Sequence, residues 1–185
     1  ASWLQTPSMN RLATSACLVA ALCVNVVAQN RFDNVEIQVT HVADSVYMLE
    51  GAGGNIGVSV GDDGILIVDN QFAPLADKIE AAVRKLNPGS IQYVLNTHWH
   101  GDHTGGNGHF GQLGTIISHD QVLARLSNRS DIEEKALPVI TYNDTIAIRM
   151  NGESIHMRHY GPGHTDGDSI VMFRGSNVVH MGDQF

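Results

Sequence analysis

The run Leu95-Asn96-Thr97-His98-Trp99-His100-Gly101-Asp102-His103-Thr104-Gly105-Gly106 places the tightest limit on what this chain can become. Ile91 to Leu95, which lead into it, form a short run, apolar but for Gln92 and without alternation, the pattern of a strand buried on both faces. His98, His100, Asp102 and His103 therefore leave a buried strand in the order His-x-His-x-Asp-His. On a turn at a strand end, His98 and His100 can point the same way and bind one ion, while Asp102 and His103 face a neighbouring one. Gly101, Gly105 and Gly106 remove side-chain bulk around the turn and are expected to let backbone and substrate approach closely. The fold must accordingly carry a sheet whose strand end opens onto a metal site.

One loop cannot complete two coordination spheres, and later segments offer the missing ligands. Gly161-Pro162-Gly163-His164-Thr165 follows another strand-to-loop transition and makes His164 the third histidine for the first ion. Met181-Gly182-Asp183 ends an apolar strand, and the two oxygens of Asp183 can bridge both ions. The two cysteines, Cys17 and Cys23, lie in the N-terminal segment, so a metal site in the rest of the chain is built from His and carboxylate. That segment reads as an export signal. Met9-Asn10-Arg11 supplies a start and a positive charge, Leu12 to Val27 carry no charge, and Val26-Val27-Ala28 fits cleavage after Ala28. Residues 1–28 are thus expected to be upstream residues and signal peptide, and 29–185 a single domain that is periplasmic or secreted.

Charge narrows the partners. With 19 acidic against 11 basic side chains, the formal net charge of -8 repels phosphate backbones and anionic lipid, so neither nucleic acid nor, after signal cleavage, a membrane is an expected partner. A small-molecule substrate is. Ten histidines against 11 Lys plus Arg is the unusual feature of the composition.

Periodicity gives the order of elements. Val35, Ile37 and Val39 alternate with polar residues, Ser45 to Glu50, Asn55 to Val60 and Ile65 to Val68 continue as strands, and Gly53-Gly54 and Asp62-Asp63-Gly64 mark turns. Pro74 suits a first helical turn, Leu75, Ile79, Ala82, Val83 and Leu86 share one helical face, and Asn87-Pro88-Gly89 stops the helix. A strand over Thr115 to Ser118 precedes a helix from about Asp120 to Leu126. Further strands are expected over Thr145 to Met150, Ser154 to His159, Ser169 to Phe173 and Val178 to Met181. Strands first, then strand and helix units, give an α/β fold of sheets covered by helices.

The motifs together, a strand-end His-x-His-x-Asp-His, a later Gly-His-Thr and a strand-end Gly-Asp, resemble those of the metallo-β-lactamase superfamily, over about Val35 to Phe185. The resemblance implies a four-layer αββα sandwich and a hydrolase that uses a metal-bound hydroxide and, in the complete protein, two zinc ions. It assigns His98, His100 and His164 to the first zinc and Asp102 and His103 to the second, with Asp183 as the bridging or second-zinc carboxylate. Asp102 is also the residue expected to orient the attacking hydroxide. Asp69, ending Ile65-Leu66-Ile67-Val68, matches an acidic position that orients a ligand histidine, or it is a turn carboxylate before the helix.

Two departures shape the functional expectation. Members of the family usually supply a final histidine to the second zinc from a later loop, whereas here no histidine follows His180. The chain is therefore expected to lack the last strands, the outer helix and that ligand. Antibiotic-destroying branches carry Cys or Ser where Asp183 stands, which favours an exported hydrolase of a small ester, lactone, thioester or amide over a β-lactamase. A non-catalytic zinc-binding protein or inactive fragment is the reading from another class. His41, His109 and His119 are expected to be structural or solvated, Asp120 a helix cap or first-turn acid, and His156, His159 and His180 strand residues. Trp99 and Phe72 are core residues or an apolar wall beside the site.

Overall fold

The computed structural model describes residues 31–184. The expected export signal, with Cys17 and Cys23, lies outside the described residues. By its contacts the chain divides into Ala1–Asn34 and Val35–Phe185, and the fold below is that of the second unit. Seven strands form its first sheet in chain order: β1 (Gln38–Ala43), β2 (Val46–Glu50), β3 (Ile56–Gly61), β4 (Gly64–Val68), β5 (Ile91–Asn96), β6 (Thr115–His119) and β7 (Ile140–Tyr142). β1 to β4 pair antiparallel through short turns, and β4 to β7 pair parallel. Parallel pairing requires crossovers. These contain helices α1 (Ala76–Leu86), α2 (Gly101–Thr104), α3 (Asn107–Phe110) and α4 (Asp120–Ser127). The second sheet, β8 (Thr145–Met150), β9 (Glu153–His159), β10 (Ser169–Phe173) and β11 (Val178–His180), is an antiparallel meander.

The two sheets share a core. Leu66, Val68, Leu95, Ile117 and Tyr142 of the first meet Ile155, Met157, Val171 and Phe173 of the second. Strand residues alternate faces, so Ile65, Ile67, Val94 and Ile116 point to the other side of the first sheet, where they too are buried. The helices bury Ile79 and Val83, and Val122 and Leu126. Each fully buried aliphatic side chain contributes about 1.5–3 kcal/mol, and the unalternating strands β4 and β5 place such residues on both faces. This is the helix, sheet, sheet stacking of an αββα sandwich. These four helices of the second unit fall between strands of the first sheet. Among the described residues, no helix is long and apolar enough to cross a membrane.

The sequence expectation differs from the structure around the histidine run. Gly101 to Thr104 are a helical turn, with His103 N–H and Thr104 N–H donating to His100 O at 3.1 and 3.0 Å. Two of the glycines let backbone approach closely, as expected. A Cβ on Gly105 would stand 2.7 Å from Gln71 O, and one on Gly106 2.7 Å from Asn70 O, so both admit the backbone that follows β4. Gly101 meets nothing within 4 Å. β7, only three residues long, has no expected counterpart.

Candidate metal centre

Register builds the site. Val68 and Leu95 lie side by side in the parallel pair β4–β5, and Asp69 N–H donates to Leu95 O at 2.7 Å. Asp69 and the Thr97-His98 segment therefore leave the sheet together, at the carboxyl ends of parallel strands where open α/β sheets place their ligands. The second sheet contributes from the ends of β9 and β11. The loop of residues 160–168 carries His164, and the turn after β11 carries Asp183. Gly182 makes that turn with φ of 55° and lies against the Thr97 side chain.

These segments bring the expected residues together in two overlapping groups. Ligand atoms of His98, His100 and His164 lie within 4.8 Å of one another, and so do those of His98, His103 and Asp183. His164 Nε2 is 2.9 Å from His100 Nδ1. Asp183 stands between the groups, with Oδ1 3.1 Å from His103 Nε2 and Oδ2 3.5 Å from His164 Nε2 and 3.9 Å from His98 Nε2. Asp102 is at the rim, its Oδ2 3.7 Å from His103 Nε2, and it belongs to neither group.

Hydrogen bonding behind the histidines determines which nitrogen faces the cluster. Buried Asp69 accepts Thr97 N–H at Oδ1 (2.8 Å) and both Thr97 Oγ1–H (2.7 Å) and His103 Nδ1–H (2.7 Å) at Oδ2. The Thr97 hydroxyl is thereby committed as a donor, so it accepts from His98 Nδ1–H at 3.1 Å. Both rings then turn Nε2 toward the cluster, His98 as a bare lone pair and His103 as the nitrogen that a proton or a metal can occupy. Among the described residues, His98 Nε2 and His103 Nε2 are buried with no hydrogen-bond partner, and the 3.1 Å approach of Asp183 to His103 is off the hydrogen-bond axis. Buried polar atoms are rarely left unpaired. Imidazole nitrogens and a carboxylate that converge in this way fit a divalent metal of the zinc class.

Electrostatics separate the two buried rings. Burial, reinforced by the charge of His103, lowers the His98 pKa to about 4. Burial also opposes a charge on His103, but the hydrogen bond and charge of Asp69, with Asp183 and Asp102, raise it to about 9. Burial pushes the Asp69 carboxyl up, yet the hydrogen bond and charge of His103 hold it below the ordinary carboxylate value.

Of the two roles open to Asp69, the structure shows the one that orients a histidine. Asp120 is the first-turn acid of α4, and His119 is its cap, accepting Gln121 N–H at 3.2 Å. His41 contacts Asp44 O, His109 the Glu80 carboxylate and His180 Asn55 O. The Trp99 ring stacks edge-on to His100 at 4.4 Å, and the Phe72 ring lies against Gly53. Two supporting residues escape sequence reading. Buried Gln71 holds the loop between β2 and β3, accepting Ala52 N–H and donating to Gly54 O. Asp168 braces the His164 loop. The only signal for Asp168 is an acid three residues after Thr165, the spacing of a local side-chain turn.

Residues 49–185 match the sequence profile of the Metallo-beta-lactamase superfamily, and the chain belongs to that family. It is 30% identical over 128 residues to the lactamase-like protein aptB of Emericella nidulans, covering 68% of this chain and 38% of that one. A metallo-beta-lactamase type 2 of Bacteroides fragilis is 24% identical over 164 residues, covering 80% and 62%. An atrochrysone carboxyl ACP thioesterase of Claviceps purpurea is 29% identical over 126 residues, covering 63% and 37%. The chain thus spans less than two thirds of the length of these relatives. Among solved structures, the FEZ-1 metallo-beta-lactamase of Legionella gormanii superposes with a TM-score of 0.67 at 17% identity, covering 80% of this chain and 64% of that one. The fold is the αββα sandwich of this family, whose members are mostly hydrolases.

Proposed function

We propose that the protein is an exported, zinc-dependent hydrolase of a small ester, lactone, thioester or amide. The observation that carries this reading is the pair of buried, unpartnered Nε2 atoms of His98 and His103, aimed at the point where His100, His164 and Asp183 converge. His98, His100 and His164 would hold one zinc. His103, Asp102 and Asp183 would hold the second, with Asp183 shared. Bound zinc supplies a Lewis acid and a water whose proton is lost near neutral pH.

The chain's own groups do the rest. Asp69 and Thr97 fix the tautomers of His98 and His103, and Asp102 Oδ2, at the rim, would orient the attacking water. Ester and thioester substrates are supported by Asp183 in place of the Cys or Ser of antibiotic-destroying branches and by the thioesterase among the relatives. The acidic balance disfavours polyanionic substrates. Export rests on the apolar segment that ends at Ala28.

The resemblance to the Bacteroides fragilis enzyme over 80% of the chain makes β-lactam opening the second reading. Zinc content and turnover of an ester, lactone, thioester and nitrocefin panel decide between them. Two zincs per chain with ester, lactone or thioester turnover and no nitrocefin hydrolysis is the expected outcome. One tightly held zinc without turnover of any substrate would make the chain a zinc-binding protein instead. His100→Ala and Asp183→Asn should each lower zinc content and activity together, and full occupancy in both variants would refute the ligand assignment.

A further inference from the structure

We propose that Asp168 is the positioning residue that holds His164 in the metal-ligand set, by clamping the loop between β9 and β10 to the strand end that carries His98. This rests on the reading of His164 as a metal ligand. His98 and His100 are delivered by the first sheet and His164 by the second, so the set is only as well defined as the link between those two chain segments.

Left to itself, the loop is poorly placed to provide that link. It contains Gly161 at φ of 107°, Pro162, Gly163 and Gly167, and the His164 side chain is 37% exposed. Its imidazole contacts His98, His100 and Asp183, members of the site itself.

Asp168 supplies the constraint. It is 2% exposed, and its carboxylate accepts Thr165 N–H at Oδ2 (2.7 Å) and Thr165 Oγ1–H at Oδ1 (2.5 Å). Thr165 passes the constraint on. Its carbonyl accepts Gly163 N–H at 2.9 Å, and its hydroxyl accepts Gly167 N–H at 3.3 Å. One buried carboxylate therefore holds Thr165 directly and, through the Thr165 carbonyl, Gly163 on the other side of His164. A Cβ on Gly163 would stand 3.1 Å from Asp168 Oδ2, so this position has little room for a side chain.

Asp168 is itself anchored on three sides. Its carbonyl accepts His159 Nδ1–H at 2.7 Å, which ties it to the end of β9. Ser169 N–H donates to Thr97 O at 2.9 Å, one residue from His98. Ser169 Oγ accepts the buried Tyr142 hydroxyl at 2.6 Å, which adds β7 of the first sheet. The path from His164 to His98 thus runs through Thr165, Asp168, Ser169 and Thr97. A carboxylate buried with only these donors is costly unless its two acceptors are needed, and here each one fixes a different atom of Thr165.

The test is zinc affinity of the full chain, measured by competition with a chromophoric chelator well below the unfolding temperature, with Co²⁺ absorption as a spectroscopic readout. Asp168→Ala should weaken the first zinc equivalent about 10–100-fold and shift the Co²⁺ ligand-field bands in the same sense as His164→Ala. Asp168→Asn should stay within about threefold of the parent, because its Oδ1 still accepts Thr165 N–H while Nδ2 donates to Thr165 Oγ1. Thr165→Val, which loses one of the two bonds, should fall between them. If the parent and His164→Ala bind zinc equally, or neither binds it, the metal-ligand reading has failed and the clamp with it. If His164→Ala weakens binding while Asp168→Ala keeps the parent's affinity and Co²⁺ spectrum, Asp168 is merely structural and the proposal is overturned. Should Asp168→Ala lose its circular dichroism, Thr165→Val decides in the same way.

Discussion

Asp69 shows how much one side chain does at this site. It sits at φ of 62°, in the left-handed region that only short polar residues and glycine occupy readily. That backbone turn aims its carboxylate at Thr97 and His103. Asp69→Ala would leave Thr97 N–H and His103 Nδ1–H buried without acceptors. The loss of a buried, charge-assisted partner costs about 3–5 kcal/mol, and loosening a ligand histidine lowers metal affinity about 10–100-fold. Denaturant unfolding of the metal-free protein, alongside zinc competition, checks both. Asp69→Asn should be milder in stability, since its amide oxygen still accepts Thr97 N–H, but its zinc affinity should also fall because the charge facing His103 is gone. An alanine variant with unchanged stability and zinc affinity would remove Asp69 from the site.

Elements were legible where burial follows a period. The stripe Leu75, Ile79, Ala82 and Val83 is buried as its spacing requires, and the unalternating runs of β4 and β5 are strands packed on both faces. The candidate site was legible where its expected ligands cluster, in His98 to His103, or directly follow a glycine, in His164 and Asp183. The helical turn α2 was not, because its glycines read as breakers while its cap is the His100 carbonyl, a feature of geometry. Nor were Gln71 and Asp168, whose work is hydrogen bonding to loops and leaves no hydrophobic pattern. The loop between β2 and β3 yields an element-scale prediction. A Cβ on Gly54 would overlap His103 Cε1, whereas one on Gly108 in α3 meets nothing within 4 Å. Gly54→Ala should therefore displace His103 and weaken the second zinc at least about tenfold. Gly108→Ala should leave zinc binding unchanged and add up to about 0.5–1 kcal/mol of stability. Equal zinc affinities in the two variants would show that the loop does not press on the ring.

At the scale of the whole molecule, the candidate site couples folding to protonation and, on the proposed reading, to metal binding. In the metal-free protein His103 is raised to about 9 and His98 lowered to about 4. The stability from His103 is fully present below its unfolded value, near 6.5, and is lost as pH rises through about 9. The stability from His98 is present above 6.5 and is lost as pH falls through about 4. The pair alone thus makes the metal-free fold most stable near pH 6.5. A metal held by His103 would have to take the proton's place on Nε2, since Nδ1–H is committed to Asp69. Zinc binding at pH 7 should consequently release about one proton from this ring, and the release should decline as pH passes about 9. Calorimetry in buffers of different ionisation enthalpy measures the number. His103→Gln, which has no proton to lose, should release about one fewer at pH 7. The rise in Tm on adding zinc should grow between pH 6.5 and 9, because proton competition fades as the metal-free fold loses its His103 contribution. Identical proton release in the parent and His103→Gln, with zinc still bound by both, would place the metal elsewhere than on His103.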